Sequence, residues 1–97
     1  MKYELTSETK VCFGRTLYRI KALIAFSNVS VGDLGGFIEK ESNLSQEGNS
    51  WVFGNSWVFG NSRVFGDSRV FGDSLVFGNS RVFGDSLVFG NSRVFGD

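Results

Sequence analysis

The stretch NSWVFG-NSWVFG-NSRVFG-DSRVFG-DSLVFG-NSRVFG-DSLVFG-NSRVFG, residues 49–96, is one six-residue unit written eight times, and Asp97 begins a ninth. A repeat this short cannot bury an apolar face by itself, so each unit must stack on its neighbours. Half of the chain is therefore predicted to be a solenoid.

The order of residues within the unit predicts which side chains point inward. Side chains alternate between the two faces of a strand, so Ser and Val share one face while Phe and the variable residue x share the other. Four of the x residues are arginines, which cannot line a dry core without partners. The predicted core ladder is therefore Val52, Val58, Val64, Val70, Val76, Val82, Val88 and Val94, and the predicted outer aromatic ladder is Phe53, Phe59, Phe65, Phe71, Phe77, Phe83, Phe89 and Phe95.

The remaining positions predict the corners and the shape of the coil. Gly followed by Asn or Asp tolerates positive φ and suits a corner, and the inward serines are expected to hydrogen-bond to backbone there. A strand and a corner every six residues close most simply after three sides, giving an all-β, triangular, parallel coil of about 18 residues that stacks at roughly 4.8 Å. Three phenylalanine rows follow: Phe53/Phe71/Phe89, Phe59/Phe77/Phe95 and Phe65/Phe83.

The first half of the chain is irregular and predicts a cap. A period of two in residues 18–26 indicates a strand with one buried face, and residues 2–6 are a candidate hairpin partner. The spacing of Leu17, Ile20 and Ile24 also fits a helix, but aromatic and β-branched residues favour the strand. A cap is expected because a terminal coil would otherwise expose strand edges and core.

The boundary between cap and coils is predicted near residue 33. Residues 1–33 form the N-terminal β cap and residues 34–97 form the coils of one continuous unit, with 34–48 as a degenerate first coil. Ile38 and Leu44 are six apart, which indicates that the hexad rhythm starts early. Gln46, however, stands where the later copies place Val.

The repeat resembles the left-handed β-helix of hexapeptide-repeat proteins. Their pattern places an aliphatic residue at one position and a small residue four later, as Val52 and Ser56 or Val58 and Ser62 do here. The resemblance implies a left-handed coil. Many such proteins are acyltransferases that use a histidine base, and this chain has no histidine, so it lacks that base.

The head of the chain resembles that of bacterial and phage solenoid proteins of transferase or polymer-forming type. The matching segments are Tyr3-Glu4-Leu5-Thr6, Gly14 to Leu23, Gly32 to Glu41 and Asn43-Leu44-Ser45. In that family the hexads are of the type Asn-Ala-Arg-Val-Tyr-Gly, whereas every copy here has Ser for Ala and Phe for Tyr. This uniformity predicts a chain with engineered, consensus-built repeats.

Composition argues against most chemistry. The net charge is formally zero, which disfavours nucleic acid as a partner. There is no histidine and Cys12 is the one cysteine, so we predict no catalytic residue, no cofactor, no metal site and no small-molecule substrate. No segment has the apolar length of a signal peptide or a membrane span, which predicts a cytoplasmic protein, or one that exists only as a recombinant product if it is engineered.

The end of the chain carries the prediction of function. The last coil is expected to expose strand edges and inward valines, while the cap blocks the other end. One blocked and one open end predict a closed end-to-end homodimer through Val88, Phe89, Arg93, Val94 and Phe95. The predicted function is a non-enzymatic, self-assembling β-solenoid scaffold; lateral assembly through the phenylalanine rows is a rival. The alternative is a binding module that uses the Phe/Arg faces for protein, glycan or nucleic acid.

Overall fold

The computed structural model of the chain describes residues 1–90 and 93–95. Within them the regular structure is strand, apart from one 3₁₀ turn at Glu41–Asn43. Three longer strands come first and are followed by eight very short ones. The strands are β1 (Tyr3–Cys12), β2 (Arg15–Ala22), β3 (Leu34–Ile38), β4 (Trp51–Val52), β5 (Trp57–Val58), β6 (Arg63–Val64), β7 (Arg69–Val70), β8 (Leu75–Val76), β9 (Arg81–Val82), β10 (Leu87–Val88) and β11 (Arg93–Val94).

The short strands stack into three walls. Wall 1 contains β3, β5, β8 and β11; wall 2 contains Leu44, β6 and β9; wall 3 contains β4, β7 and β10. Neighbours within each wall are parallel, and in the repeats each strand pairs with the strand three hexads later, as Trp57 does with Leu75. The predicted all-β, parallel, three-sided solenoid is therefore confirmed, with about three turns. Its left-handed sense stays a prediction.

Each coil is joined to the next by a regular set of backbone hydrogen bonds. The Phe59 N–H donates to the Val76 carbonyl at 2.9 Å, and the Phe65 N–H donates to the Val82 carbonyl at 2.9 Å. The x and Phe residues thus direct their N–H groups toward the following coil, and the Ser, Val and Gly residues direct their carbonyls toward the preceding one. This alternation is normal for parallel strands, and it gives the solenoid two chemically different ends.

The core follows the predicted inward face. The valines from Val52 to Val76 are fully buried and Val82 is 4% exposed, while Val88 and Val94 are half-buried. From Ser56 to Ser86 the repeat serine hydroxyls donate to backbone carbonyls at the corners, as Ser62 does to the Phe59 carbonyl at 2.6 Å. The prediction for the serines is therefore confirmed, and the hydroxyls are satisfied where an unpaired buried group would cost about 1–3 kcal/mol.

The first coil contains more residues than the later ones, so the predicted alignment of residues 34–48 with the hexads needs correction. Ile38 pairs with Val58, and Leu44 pairs with Val64. In both pairs more residues separate the two partners in the sequence than separate Val58 from its own partner in the next coil, Val76. The additional length lies between Leu44 and Val52, where residues 45–50 form a wider corner. Leu44, and not Gln46, therefore occupies the valine position of the first coil, and the sequence-based alignment of Gln46 with valine is wrong.

The cap is an antiparallel hairpin that continues wall 1. β1 pairs with β2, including Tyr3 with Ala22 as expected, and β2 pairs with β3. The predicted strand ends at Ala22, earlier than the alternation indicated, because the chain turns at residues 23–33 and leaves Ile24 exposed. Phe26 and Val29 form a bridge in that turn and pack against the core cluster.

The x residue of the first hexad is buried, although the x position is predicted to face outward. Trp51 is 1% exposed because the cap covers it: its ring lies 6.1 Å from Tyr3 and 5.3 Å from Phe26, edge to face in both cases. The other described x residues are half-buried or exposed. A hexad alone cannot signal this burial, since the covering residues come from the irregular half of the chain.

Candidate functional site

The outward phenylalanines form continuous rows along the coil. The ring centroids of Phe59 and Phe77 lie 5.4 Å apart at 7°, and those of Phe65 and Phe83 lie 5.3 Å apart at 9°. The row of Phe53 begins with an edge-to-face pair, 6.1 Å from Phe71. The remaining stacked pairs are Phe71 with Phe89 and Phe77 with Phe95, at 5.7 and 5.3 Å.

Away from the cap, stacking leaves ring edges exposed along a row and ring faces exposed at its ends, whereas Phe59, which the cap covers, is 4% exposed. A ligand that binds by stacking needs a ring face, and in the four stacked pairs the two rings cover each other's faces. On wall 1 the first face is covered as well, because Phe13 of the hairpin turn lies 6.0 Å from Phe59. The row ends, and not the row sides, are therefore the places where an aromatic group can be added.

Wall 2 contains a groove at the beginning of its aromatic row. Leu44 pairs with Val64, and the Ser45 N–H donates to the Val64 carbonyl at 2.9 Å, so Ser45 occupies the position above Phe65 where a third ring would stand. The groove has a volume of about 570 Å³. It is lined by Glu41, Ser42, Leu44, Ser45, Gln46, Arg63, Val64, Phe65 and Arg81.

Two of the groove's residues form a like-charged pair. Arg63 and Arg81 are in register on β6 and β9, which places them about 4.8 Å apart along the coil. Both side chains are exposed, and neither makes an ion pair or a hydrogen bond with the described residues. Like charges in register repel, so this wall carries a local positive charge.

The cap's arginines are paired. Arg15 bonds to Glu39 through both carboxylate oxygens, each at 3.0 Å. Arg19 lies 3.0 Å from Glu8 and covers the Phe37 ring at 4.4 Å. Arg63 and Arg81 therefore differ from the paired arginines of the cap and from Arg69, which bonds to Ser27.

The N-terminal end of the coil is closed by two cap side chains. The Lys2 ammonium donates to the Ser50 carbonyl at 2.8 Å, and the Tyr3 hydroxyl donates to the Leu44 carbonyl at 2.6 Å. In later coils such carbonyls accept N–H groups from the preceding coil. Lys2 and Tyr3 therefore supply the donors that a preceding coil would supply, and sequence reasoning missed both roles. The signal available for Lys2 was weak: a charged residue beside the buried strand.

Burial shifts the pKa values of both capping groups. It lowers the pKa of Lys2 from 10.5 to about 8, because the charged ammonium loses hydration. Burial, reinforced by the charge of Glu41, raises the pKa of the Tyr3 hydroxyl above its usual value. At neutral pH Lys2 is charged and Tyr3 is neutral, so both donate.

The two shifts predict opposite effects of pH on stability. Since the unfolded chain holds the Lys2 proton up to pH 10.5 and the folded chain releases it near pH 8, the free energy of unfolding should rise across that interval. The raised pKa of Tyr3 gives stability that is present below pH 10 and is lost as the pH rises further. Urea titrations at pH 7.5, 9 and 10 should show a rise between 7.5 and 9 in the wild type that Lys2→Met lacks. A parallel response of both proteins would remove Lys2 as its cause.

At the C-terminal end of the solenoid, the described strands are hydrogen-bonded to a neighbouring strand on one side only. Within residues 1–90 and 93–95, β9, β10 and β11 each pair with a preceding strand, and no described strand lies on their other side. The predicted association residues Val88 and Val94 are half-buried, and Arg93 is exposed. Phe89 and Phe95 are 57% and 68% exposed.

Cys12 and the inward serines are engaged in the structure. Cys12 is buried in a cluster with Leu17, Phe37 and Phe59, and burial raises the pKa of its thiol. The inward serines donate to carbonyls. No group of three or more His, Cys, Asp or Glu side chains close enough to hold a metal ion occurs in the described part of the chain.

No protein-family model matches this sequence, and a search of curated protein sequences finds no match. The two family resemblances therefore stay predictions, while the β-solenoid itself is shown. None of the helical segments in residues 1–90 and 93–95 has the length and apolar character needed to cross a membrane.

Proposed function

We propose that this chain is a non-enzymatic structural β-solenoid that associates with a second copy through its last coil. The observation that carries the proposal is that, among the described residues, β9, β10 and β11 have a neighbouring strand on one side alone. Unpaired strand edges template further pairing. The same coil leaves Val88 and Val94 half-buried, where the valines of the preceding coil are fully buried.

A two-fold axis makes this edge self-complementary. Rotation about an axis perpendicular to the coil reverses the strand direction, so strands of the two copies run antiparallel across the junction. In the earlier coils the x and Phe N–H groups point to the following coil, so by the same pattern Arg93 and Phe95 of each copy present backbone donors to the strand of the other. The inward valines then close one continuous core.

The cap favours this closed pair over an open filament. Head-to-tail stacking would require the last coil of one copy to reach the first coil of the next, and Lys2 and Tyr3 occupy the carbonyls there. An association that uses one surface twice closes after two copies. The cap thus supports a homodimer as the expected assembly.

The absence of enzymatic activity is part of the proposal. Its support is positive: the serine hydroxyls are donors to the coil's own backbone, and the Cys12 thiol is buried with a raised pKa, which disfavours the reactive thiolate. We also infer consensus-built repeats, since eight copies differ only at x and at Asn/Asp.

Light scattering behind size-exclusion chromatography tests the association. Over a wide concentration range the wild-type chain should elute as a dimer, and Val94→Lys should elute as a monomer because two lysines would be buried at the junction. Val11→Lys is the matched control, since Val11 is 74% exposed in the cap; it should remain a dimer.

Three outcomes would contradict the proposal. A wild-type monomer at the highest concentration would remove the association altogether. Equal loss of the dimer in Val94→Lys and Val11→Lys would show that the last coil is not the interface. Particles that grow with concentration would indicate lateral assembly through the aromatic rows. Circular dichroism confirms that each variant keeps its strands.

A further inference from the structure

The groove on wall 2 is the place where an aromatic row is one ring short. Wall 1 has Phe13 above Phe59, whereas wall 2 has Ser45 above Phe65. The Ser45 hydroxyl accepts the Glu47 N–H at 3.0 Å, so its short side chain is held in the corner. The upper face of the half-buried Phe65 ring therefore borders the groove.

The arginine pair lies beside this ring face. Arg63 and Phe65 are two residues apart on one strand face, so their Cα atoms are separated by roughly 6.6 Å. Arg81 follows one coil below Arg63. Two guanidinium groups with free donors suit the oxygens of a phosphate, which arginine binds through two hydrogen bonds at once.

We propose that this groove binds a small aromatic phosphate, with its ring stacked on the Phe65 face beneath Ser45 and its phosphate held by Arg63 and Arg81. The site goes beyond the proposed scaffold function and gives a specific ligand chemistry to a binding role. Stacking on aromatic side chains is a general way to hold planar rings. The phosphate also relieves the repulsion between the two arginines.

The charges around the groove favour one phosphate over a long polyanion. Glu41 lines the groove at its upper side and accepts the Gln46 amide at 3.2 Å. Asp67 and Asp85 follow Phe65 and Phe83 at the next corner. A chain of phosphates running along or across the wall would meet all three carboxylates, whereas for a single phosphate on the arginines Glu41 is the only one of the three that lines the groove.

Binding is measured by isothermal titration calorimetry with four probes. Adenosine monophosphate and the N-acetyl amide of phosphotyrosine carry both ring and phosphate and distinguish the two sources of this chemistry; adenosine and inorganic phosphate carry one part each. We expect at least one complete probe to bind with a dissociation constant below about 1 mM. Each partial probe should bind at least tenfold more weakly. In NMR spectra the proton signals of the bound ring should shift upfield because the ring stacks on Phe65.

Three variants and one matched control locate the site. Arg81→Gln should weaken binding about tenfold, while the matched Arg69→Gln should not, because Arg69 lies on wall 3 and bonds to Ser27 at 2.6 Å. Glu41→Gln should tighten binding by removing a negative charge. Ser45→Phe should abolish binding by supplying the missing ring, and should leave the melting temperature equal to or above that of the wild type.

The proposal is overturned if no complete probe binds saturably, if Arg69→Gln and Arg81→Gln weaken binding equally, or if a folded Ser45→Phe binds like the wild type. Should Ser45→Phe not fold, the two arginine variants decide the question. Binding that persists in the monomeric Val94→Lys separates this site from the association through the last coil. A wild-type chain that is monomeric and still binds the probe would contradict the proposed dimeric scaffold and support the proposed ligand site.

Discussion

Replacement of Trp51 by alanine is expected to lower the free energy of unfolding by about 3–5 kcal/mol, the range measured when large aromatic core residues are truncated. Trp51 is 1% exposed and is the largest fully buried side chain. Its ring joins the cap, through Tyr3 and Phe26, to the first valines of the coil. The loss should be measured by urea unfolding followed by circular dichroism.

Trp57→Ala is the matched control for this prediction. Trp57 occupies the same position of the next hexad but is half-buried, and its indole N–H is buried without a hydrogen-bond partner. Truncation there removes less packing and also removes an unsatisfied donor, so the loss should be no more than half of that for Trp51. Equal losses in the two variants would contradict the role of Trp51 as the link between cap and coil.

The repeat half of this fold could be predicted because its physics is local. Val, Ser and Phe alternate within each hexad, and four arginines at x show which face is outside. The Gly-Asn/Asp corners close the coil in six-residue steps, so the burial of Val64 and Val70 and the stacking of Phe65 on Phe83 followed from one unit. Because the hexad is repeated, each copy supports the same assignment of inward and outward positions.

The cap and its contacts could not be predicted in the same way because they depend on long-range packing. Nothing near Lys2 in the sequence indicates that its ammonium reaches Ser50, far along the chain. The wide corner between Leu44 and Val52 is equally hidden, since only pairing with the second coil reveals that the step from Ile38 to Val58 is longer than the step from Val58 to Val76. The shift misplaced Gln46 and hid the short row above Phe65, which is the basis of the proposed ligand groove.

The two ends of the solenoid differ for the same reason that its walls are regular. Every coil presents the carbonyls of Ser, Val and Gly to the coil before it and the N–H groups of x and Phe to the coil after it. The cap satisfies the first kind with side-chain donors from Lys2 and Tyr3. The N–H groups of x and Phe in the last coil need another strand as partner, and in the proposed two-fold junction the last coil of the second copy provides it.

The close stacking of corners predicts the second large effect, for Gly72→Ala. Gly72 has a φ of +81°, and a Cβ atom there would lie 2.7 Å from the Gly90 carbonyl oxygen and 2.9 Å from its nitrogen. The left-handed conformation costs an L-residue about 1–2 kcal/mol, and the forced separation of two coils adds about 1–3 kcal/mol. We expect a total loss of roughly 2–5 kcal/mol in the free energy of unfolding from these two contributions.

Gly84→Ala separates the two contributions to that loss. Gly84 has a similar φ of +70°, but a Cβ atom there meets nothing within 4 Å, so only the conformational cost of about 1–2 kcal/mol applies. Urea titrations of both variants in the monomeric Val94→Lys background, where no second copy covers the Gly84 corner, give the coil-to-coil contribution as their difference. If Gly84→Ala were as destabilised as Gly72→Ala, contact between successive corners would not limit this position to glycine, and the left-handed backbone alone would explain its recurrence in every hexad.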